Sequence, residues 1–123
     1  MVDSDPMPDP SPNRGVMITL AYLWPLALVP LVVEKDDAEV QWHAKHGLVL
    51  MAAEVVALIA FSLFASFMSA ASFGFGCAFG LAFGMLTVLL WVTILLVHMI
   101  AIVKGIGGSR LIVPWVSEYA NRF

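Results

Sequence analysis

Three apolar stretches, at about 16–33, 40–68 and 77–103, fill most of the chain, and each is long enough to cross a bilayer. A spanning helix needs roughly 17–25 mainly apolar residues, because the hydrocarbon core is about 30 Å thick and a helix rises about 1.5 Å per residue. Of the 123 residues, 61% are hydrophobic and 12% are charged, where a soluble domain carries about 25% charged residues. That stock is too poor in charge to cover a core in water, whereas lipid accepts it. The expected fold is an all-α membrane protein of three transmembrane helices, the first one Pro-kinked, followed by a short C-terminal interfacial helix.

The same pattern divides the chain. Residues 1–14 form a tail with Pro6, Pro8, Pro10 and Pro12 among Asp3, Asp5 and Asp9. Such a segment cannot form a helix and has little to bury, so it is expected to be extended or disordered. Met1 to Pro12 has no basic residue, unlike the start of a secretory signal, so the first apolar run is expected to stay as a span. Pro25 and Pro30 should kink that run near Trp24. Residues 15–104 then make the three-helix domain. Asp36 or Asp37 is placed to cap the second helix, and Ser69 to Gly76 make an uncharged turn. After Lys104, the glycines Gly105, Gly107 and Gly108 stop the third helix. Residues 105–123 are too short to span. There Pro114 suits a first helical turn, and Trp115, Tyr119 and Phe123 recur every four residues, as in a helix lying among headgroups. Trp42, Trp115 and Tyr119 are the expected interfacial anchors.

With three crossings, the tail shares one side with the second turn, and that side holds Arg14 alone. The other side holds Lys35, Lys45, Lys104, Arg110 and Arg122, a split of 1 against 5 among the 6 Lys and Arg. The positive-inside rule then puts the N-terminus outside and the C-terminus inside, in a bacterial cytoplasmic (inner) membrane.

Several function classes drop out. A net charge of −3 without a basic face argues against nucleic acid. Cys77 is the single cysteine, so no internal disulfide and no cysteine metal set forms, and it reads as a small packing residue. His43 and His46 lie three apart, but no third metal ligand accompanies them. The serines cluster at the end of the second helix opposite these histidines, so no Ser-His-Asp set assembles. No catalytic residue, metal site or small-molecule substrate is expected, and the protein is expected not to be an enzyme.

The helix faces carry more. Gly76, Gly80 and Gly84 repeat every four residues as two overlapping GxxxG units, and Thr87, Trp91 and His98 continue that face. Ser62 and Ser66 offer small residues on the second helix. Close packing within the chain and an interface with another subunit both fit this stripe. Phe75, Phe79 and Phe83 form a neighbouring stripe expected to meet lipid or a partner. Glu54 is the residue that most needs a partner. It lies roughly 12 Å past His46, and His98 lies roughly 9 Å before Lys104 on an antiparallel helix. The two are expected to form a buried polar pair, because an unpaired carboxylate at that depth is costly. The pair reads as structural, or as a site where His98 binds haem, pigment or quinone at a subunit interface, or as part of a proton path.

Two segments resemble a known family. They are DDAEVQWHAKHGLVL (Asp36 to Leu50), with His43, Ala44, His46 and Leu48 at the helix start, and IVKGIGGSRLIVPWVSEYA (Ile102 to Ala120). Together they are similar to small bacterial multi-pass membrane proteins of an uncharacterised family, distantly related to a chloroplast inner-envelope protein-import component. This chain carries His46 where many members of that family carry glutamine. The resemblance spans roughly Met17 to Tyr119 and implies a multi-pass membrane protein without established enzymatic activity. The expected function is a non-catalytic accessory subunit of a larger inner-membrane complex, with lipids and other integral membrane subunits as partners. A component of a translocation or transport assembly is the alternative, and a cofactor-binding subunit using His98 a further one.

Overall fold

The computed structural model describes residues 11–72 and 74–122. Most of the Pro/Asp tail, and Phe123 of the aromatic series, lie outside them. The described residues are helical without a strand: α1 (Arg14–Ala21), a 3₁₀ turn (Trp24–Ala27), α2 (Leu28–Val33), α3 (Ala38–Ala71), α4 (Gly76–Ile106) and α5 (Val116–Ala120).

Two of these helices, α3 and α4, are long and apolar enough to cross a membrane. Only 11% and 17% of their most apolar windows are buried, so they are not core helices of a water-soluble body. Leu63, Phe67, Leu81 and Met85 stand fully outward along them. At 34 and 31 residues, each runs about 45–50 Å, well beyond a hydrocarbon core of about 30 Å. Each therefore extends past the oil by several turns.

The expected third span is corrected here. The first apolar run is not one helix but pieces of 8, 4 and 6 residues. Pro25 and Pro30 each remove a backbone donor, and Trp24 at the break sits at φ 48°, outside the helical region. Instead of crossing, the pieces fold onto the first turns of α3 and the last turns of α4. Ile18, Ala21 and Tyr22 bury there with Val40, Ala44, Leu50 and Ala101. The carbonyls at the end of α2 are collected by the side-chain amide of Gln41, which donates to Leu31 and Glu34 at 3.0 Å each.

Two glycines make this packing possible. A Cβ at Gly47 would overlap the Ala21 carbonyl, and one at Gly105 would lie 2.5 Å from Ile18 Cγ2. Gly105 is thus a packing residue inside α4 rather than part of its stop. The helix runs on to Ile106, and Gly108 turns the chain at φ 81°. The structure is an antiparallel hairpin of α3 and α4 with a cap of short helices on one end.

Candidate functional site

The cap is held by polar contacts around the start of α3. Asp37 caps that helix, its carboxylate accepting from the backbone N–H of Glu39 and Val40 at 3.1 and 3.3 Å. The same carboxylate accepts a two-pronged bond from Arg14 at 2.7 and 2.9 Å. Burial works against ionisation of Asp37, but Arg14 and the N–H groups of Ser11 and Val40 outweigh it and hold its pKa near 2. On the other flank, Arg110 donates to both oxygens of Glu39, at 3.2 and 2.5 Å, and lies over the Trp42 ring. One arginine thus ties each flanking segment to the first turns of α3.

Deeper in the cap, the Tyr22 hydroxyl and His43 Nδ1 share a hydrogen bond of 2.8 Å. His46 stacks on Trp42 with ring centroids 3.6 Å apart, and its Nδ1–H donates to the Trp42 carbonyl at 2.7 Å. Its other nitrogen, Nε2, is buried with no partner among the described residues. Trp42 is therefore wedged between His46 and Arg110, while Trp115 and Tyr119 stand exposed.

Below the cap, His98 Nδ1 lies 3.5 Å from Glu54 Oε1, and both side chains are about nine-tenths buried. The His98 Nδ1–H also donates to the Ile94 carbonyl at 2.9 Å, and Glu54 Oε2 has no hydrogen-bond partner among the described residues. Beside them, Trp24 stacks on Trp91 at 6.2 Å, and a cleft of about 340 Å³ opens between Tyr22, Trp24, Trp91 and His98. Among the described residues no group of three or more His, Cys, Asp or Glu is placed to hold a metal ion.

The glycine stripe lies elsewhere. Gly80 and Gly84 face outward, with open space where a Cβ would be, and Gly76 meets only the Ser72 hydroxyl. The α3–α4 contact at that end is made by Phe83 against Phe61 and Phe64, at 5.9 Å each. Phe83 therefore sits between the helices, because the glycines point the other way. Ser62 and Ser66 are also exposed, and the Ser66 hydroxyl donates to the Ser62 carbonyl at 2.8 Å. On α4, a shallow apolar groove of about 460 Å³ runs along Gly80, Gly84, Val88 and their neighbours.

It is a membrane protein. Its two long apolar helices, exposed along most of their length, carry that reading. The chain is 51% identical over 45 residues to the magnetosome protein MmsF of Paramagnetospirillum magneticum, a stretch covering 37% of this chain and 42% of the relative. It is 46% identical over 48 residues to the magnetosome protein MamF of the same organism, covering 39% and 43%. The match thus spans less than half the length of each relative. No family model and no solved structure matches the chain.

Sequence reasoning missed the residues that seat the cap: Arg14, Tyr22, Gly47, Gly105 and Arg110. The signal for Gly47 was a lone glycine at the start of a long helix, where it costs about 1 kcal/mol unless close packing requires it.

Proposed function

We propose that this chain is a non-catalytic accessory subunit of a larger membrane assembly, seated by its capped hairpin and joined to a partner helix through the α4 groove. The observation that carries this reading is the unfilled space over Gly80 and Gly84. Lipid gives helices no hydrophobic drive to associate, so they pair where small residues let backbones approach. A close-approach surface that the chain itself leaves open is suited to a neighbouring helix. The partial matches to two magnetosome proteins support a magnetosome membrane as the compartment.

The distribution of charge on the hairpin supports an orientation as well. The cap end carries Arg14, Lys35, Lys45, Lys104, Arg110 and Arg122, all 6 of the Lys and Arg, and the α3–α4 turn carries none. The positive-inside rule places both flanking segments in the cytoplasm, in place of the N-out topology expected from three spans. Affinity purification in mild detergent tests the reading. The chain should elute with larger integral membrane proteins in a fixed ratio, and Gly80→Leu should release it from them while leaving its own fold intact. Elution of the wild type as a free monomer contradicts it.

A second reading, a bound haem, pigment or quinone, draws on the cleft beside His98. A visible absorption band that follows the purified protein and disappears in His98→Leu supports it, and a blank spectrum removes haem and pigment.

A further inference from the structure

We propose that the hairpin is a wedge that selects membranes bulging outward on the side of its cap. The apolar run 16–33 dips into one leaflet and returns, while the other leaflet holds only α3 and α4. The partner that fits this shape is a convex lipid surface. The inference goes beyond the accessory role and does not depend on it. It rests on both flanks of the hairpin lying on one side of the membrane.

Depth follows from what touches what. Ile18 meets Gly105 and Ala21 meets Gly47, both at the polar end of the long helices. Three residues further on, the Trp24 ring stacks on Trp91, the middle residue of α4. The chain then climbs back, and Gln41 in the first turns of α3 donates to the Leu31 and Glu34 carbonyls. The ion pair of Arg14 with Asp37 closes the mouth of this re-entrant loop. Burial along the long helices records the same depth. Buried residues run from Val40 to Glu54 in α3 and from Ile94 to Gly105 in α4. Between Glu54 and Ile94 none of the described residues is buried. Gly47 to Glu54 is about 10 Å of helix and Ile94 to Lys104 about 15 Å, at most half of a hydrocarbon core of about 30 Å. The loop therefore stays within one leaflet.

The loop is built to face oil. Leu23, Leu26, Leu28 and Val29 stand exposed on it, a patch that lipid solvates and water does not. Its broken backbone tolerates that setting because the N–H groups of Leu23 and Leu26 are satisfied locally, by the Leu20 and Leu23 carbonyls at 3.1 Å each. At headgroup level on the same side, α5 packs on α3 with Trp115 and Tyr119 exposed. A helix with its side chains is about 10–12 Å across, or roughly 100 Å² of leaflet. The far leaflet makes room for two such rods. The near leaflet makes room for the same two and both limbs of the loop, on the order of another 100–200 Å². A body wider in one leaflet compresses lipid least where that leaflet is convex, which is why helices inserted in one leaflet respond to curvature.

The test uses the full chain, dye-labelled on Cys77 and reconstituted into giant vesicles from which a nanotube is pulled. Cys77 is exposed and lies at the end of α4 away from the cap. A membrane-impermeant reductant therefore bleaches every copy whose cap faces the lumen. The remaining signal comes from copies with the cap outside, on the convex leaflet of the tube. Those copies should be enriched in the tube about twofold or more, a bias of about 0.4 kcal/mol. Equal density in tube and vesicle, or depletion from the tube, overturns the proposal. Leu26→Asp with Leu28→Asp puts acids at two exposed positions of the loop, drives it out of the oil and should abolish the enrichment. Enrichment that persists in this variant also overturns the proposal. A second measurement does not depend on that variant folding. A spin label at position 26, from Leu26→Cys in a Cys77→Ala background, should collide with oxygen dissolved in the oil and not with an aqueous nickel complex. The reverse places the loop in water and removes the wedge.

Discussion

The hydroxyl of Tyr22 sits 2.8 Å from Nδ1 of His43, with both residues almost fully buried. This bond joins the segment that failed to become a span to the helix it packs against. Tyr22→Phe keeps the ring and removes the bond, leaving a buried imidazole nitrogen without its partner. The expected loss is about 1–3 kcal/mol, read as a lower thermal midpoint in detergent. An unchanged midpoint would show that the bond adds nothing to the cap.

The glycines divide into two kinds, and one methyl group separates them. Gly47→Ala drives a Cβ into the Ala21 carbonyl, a clash with backbone that no side-chain rotation relieves. A loss at or above the roughly 1–3 kcal/mol of ordinary overpacking is expected. Gly80→Ala meets open space and should leave the isolated chain's midpoint unmoved. Equal effects of the two substitutions would contradict the packing described here.

Asp37 makes the cap sensitive to acid. Its carboxyl titrates near 2, below the ordinary value of 3.8. A folded-state pKa that is depressed means stability fully present above the ordinary value and lost as pH falls through the folded one. The cap should therefore loosen between about pH 4 and pH 2. Asp37→Asn should flatten that part of the stability profile and cost about 1 kcal/mol at neutral pH through the weakened cap and lost ion pair. Stability that is flat from pH 4 to pH 2 in the wild type is the contrary result.

Glu54 and His98 should behave as a coupled pair. Removing His98 alone leaves a buried carboxyl without its charged partner, so His98→Leu is expected to cost more than the double variant Glu54→Leu, His98→Leu. Glu54→Gln, which keeps a hydrogen-bonding group, should be the mildest change. A double-mutant cycle in detergent gives the coupling energy directly, and strict additivity of the two leucine variants would deny it.

Residues differ in how openly they announce these roles. The two long helices are legible because length and hydropathy alone decide them, and Asp37 because capping is local. The meeting of Glu54 with His98 follows from helical rise along an antiparallel pair. The first run misleads because counting apolar residues treats Val16 to Val33 as oil-facing, although Ile18 and Ala21 bury against protein. Two prolines in one run were the local warning. The glycine series fixes a face but not what that face meets, since Phe83 supplies the helix contact instead. In the sequence alone, Arg14 and Arg110 read only as charges that bear on orientation. Their carboxylate partners lie 23 and 71 residues away in sequence, and no local pattern points to a pairing at that distance.

The central claim is a two-helix hairpin with both flanks on one side. Cys77, exposed at the start of α4, is the only native cysteine and serves as the first probe. Cysteines placed singly at Asn13 and Ser109 in a Cys77→Ala background serve as the others. A membrane-impermeant maleimide added to intact spheroplasts should label Cys77 and neither of the other two, and permeabilisation should expose both. Labelling at position 13 from outside, with position 109 protected, would restore three crossings and contradict the account.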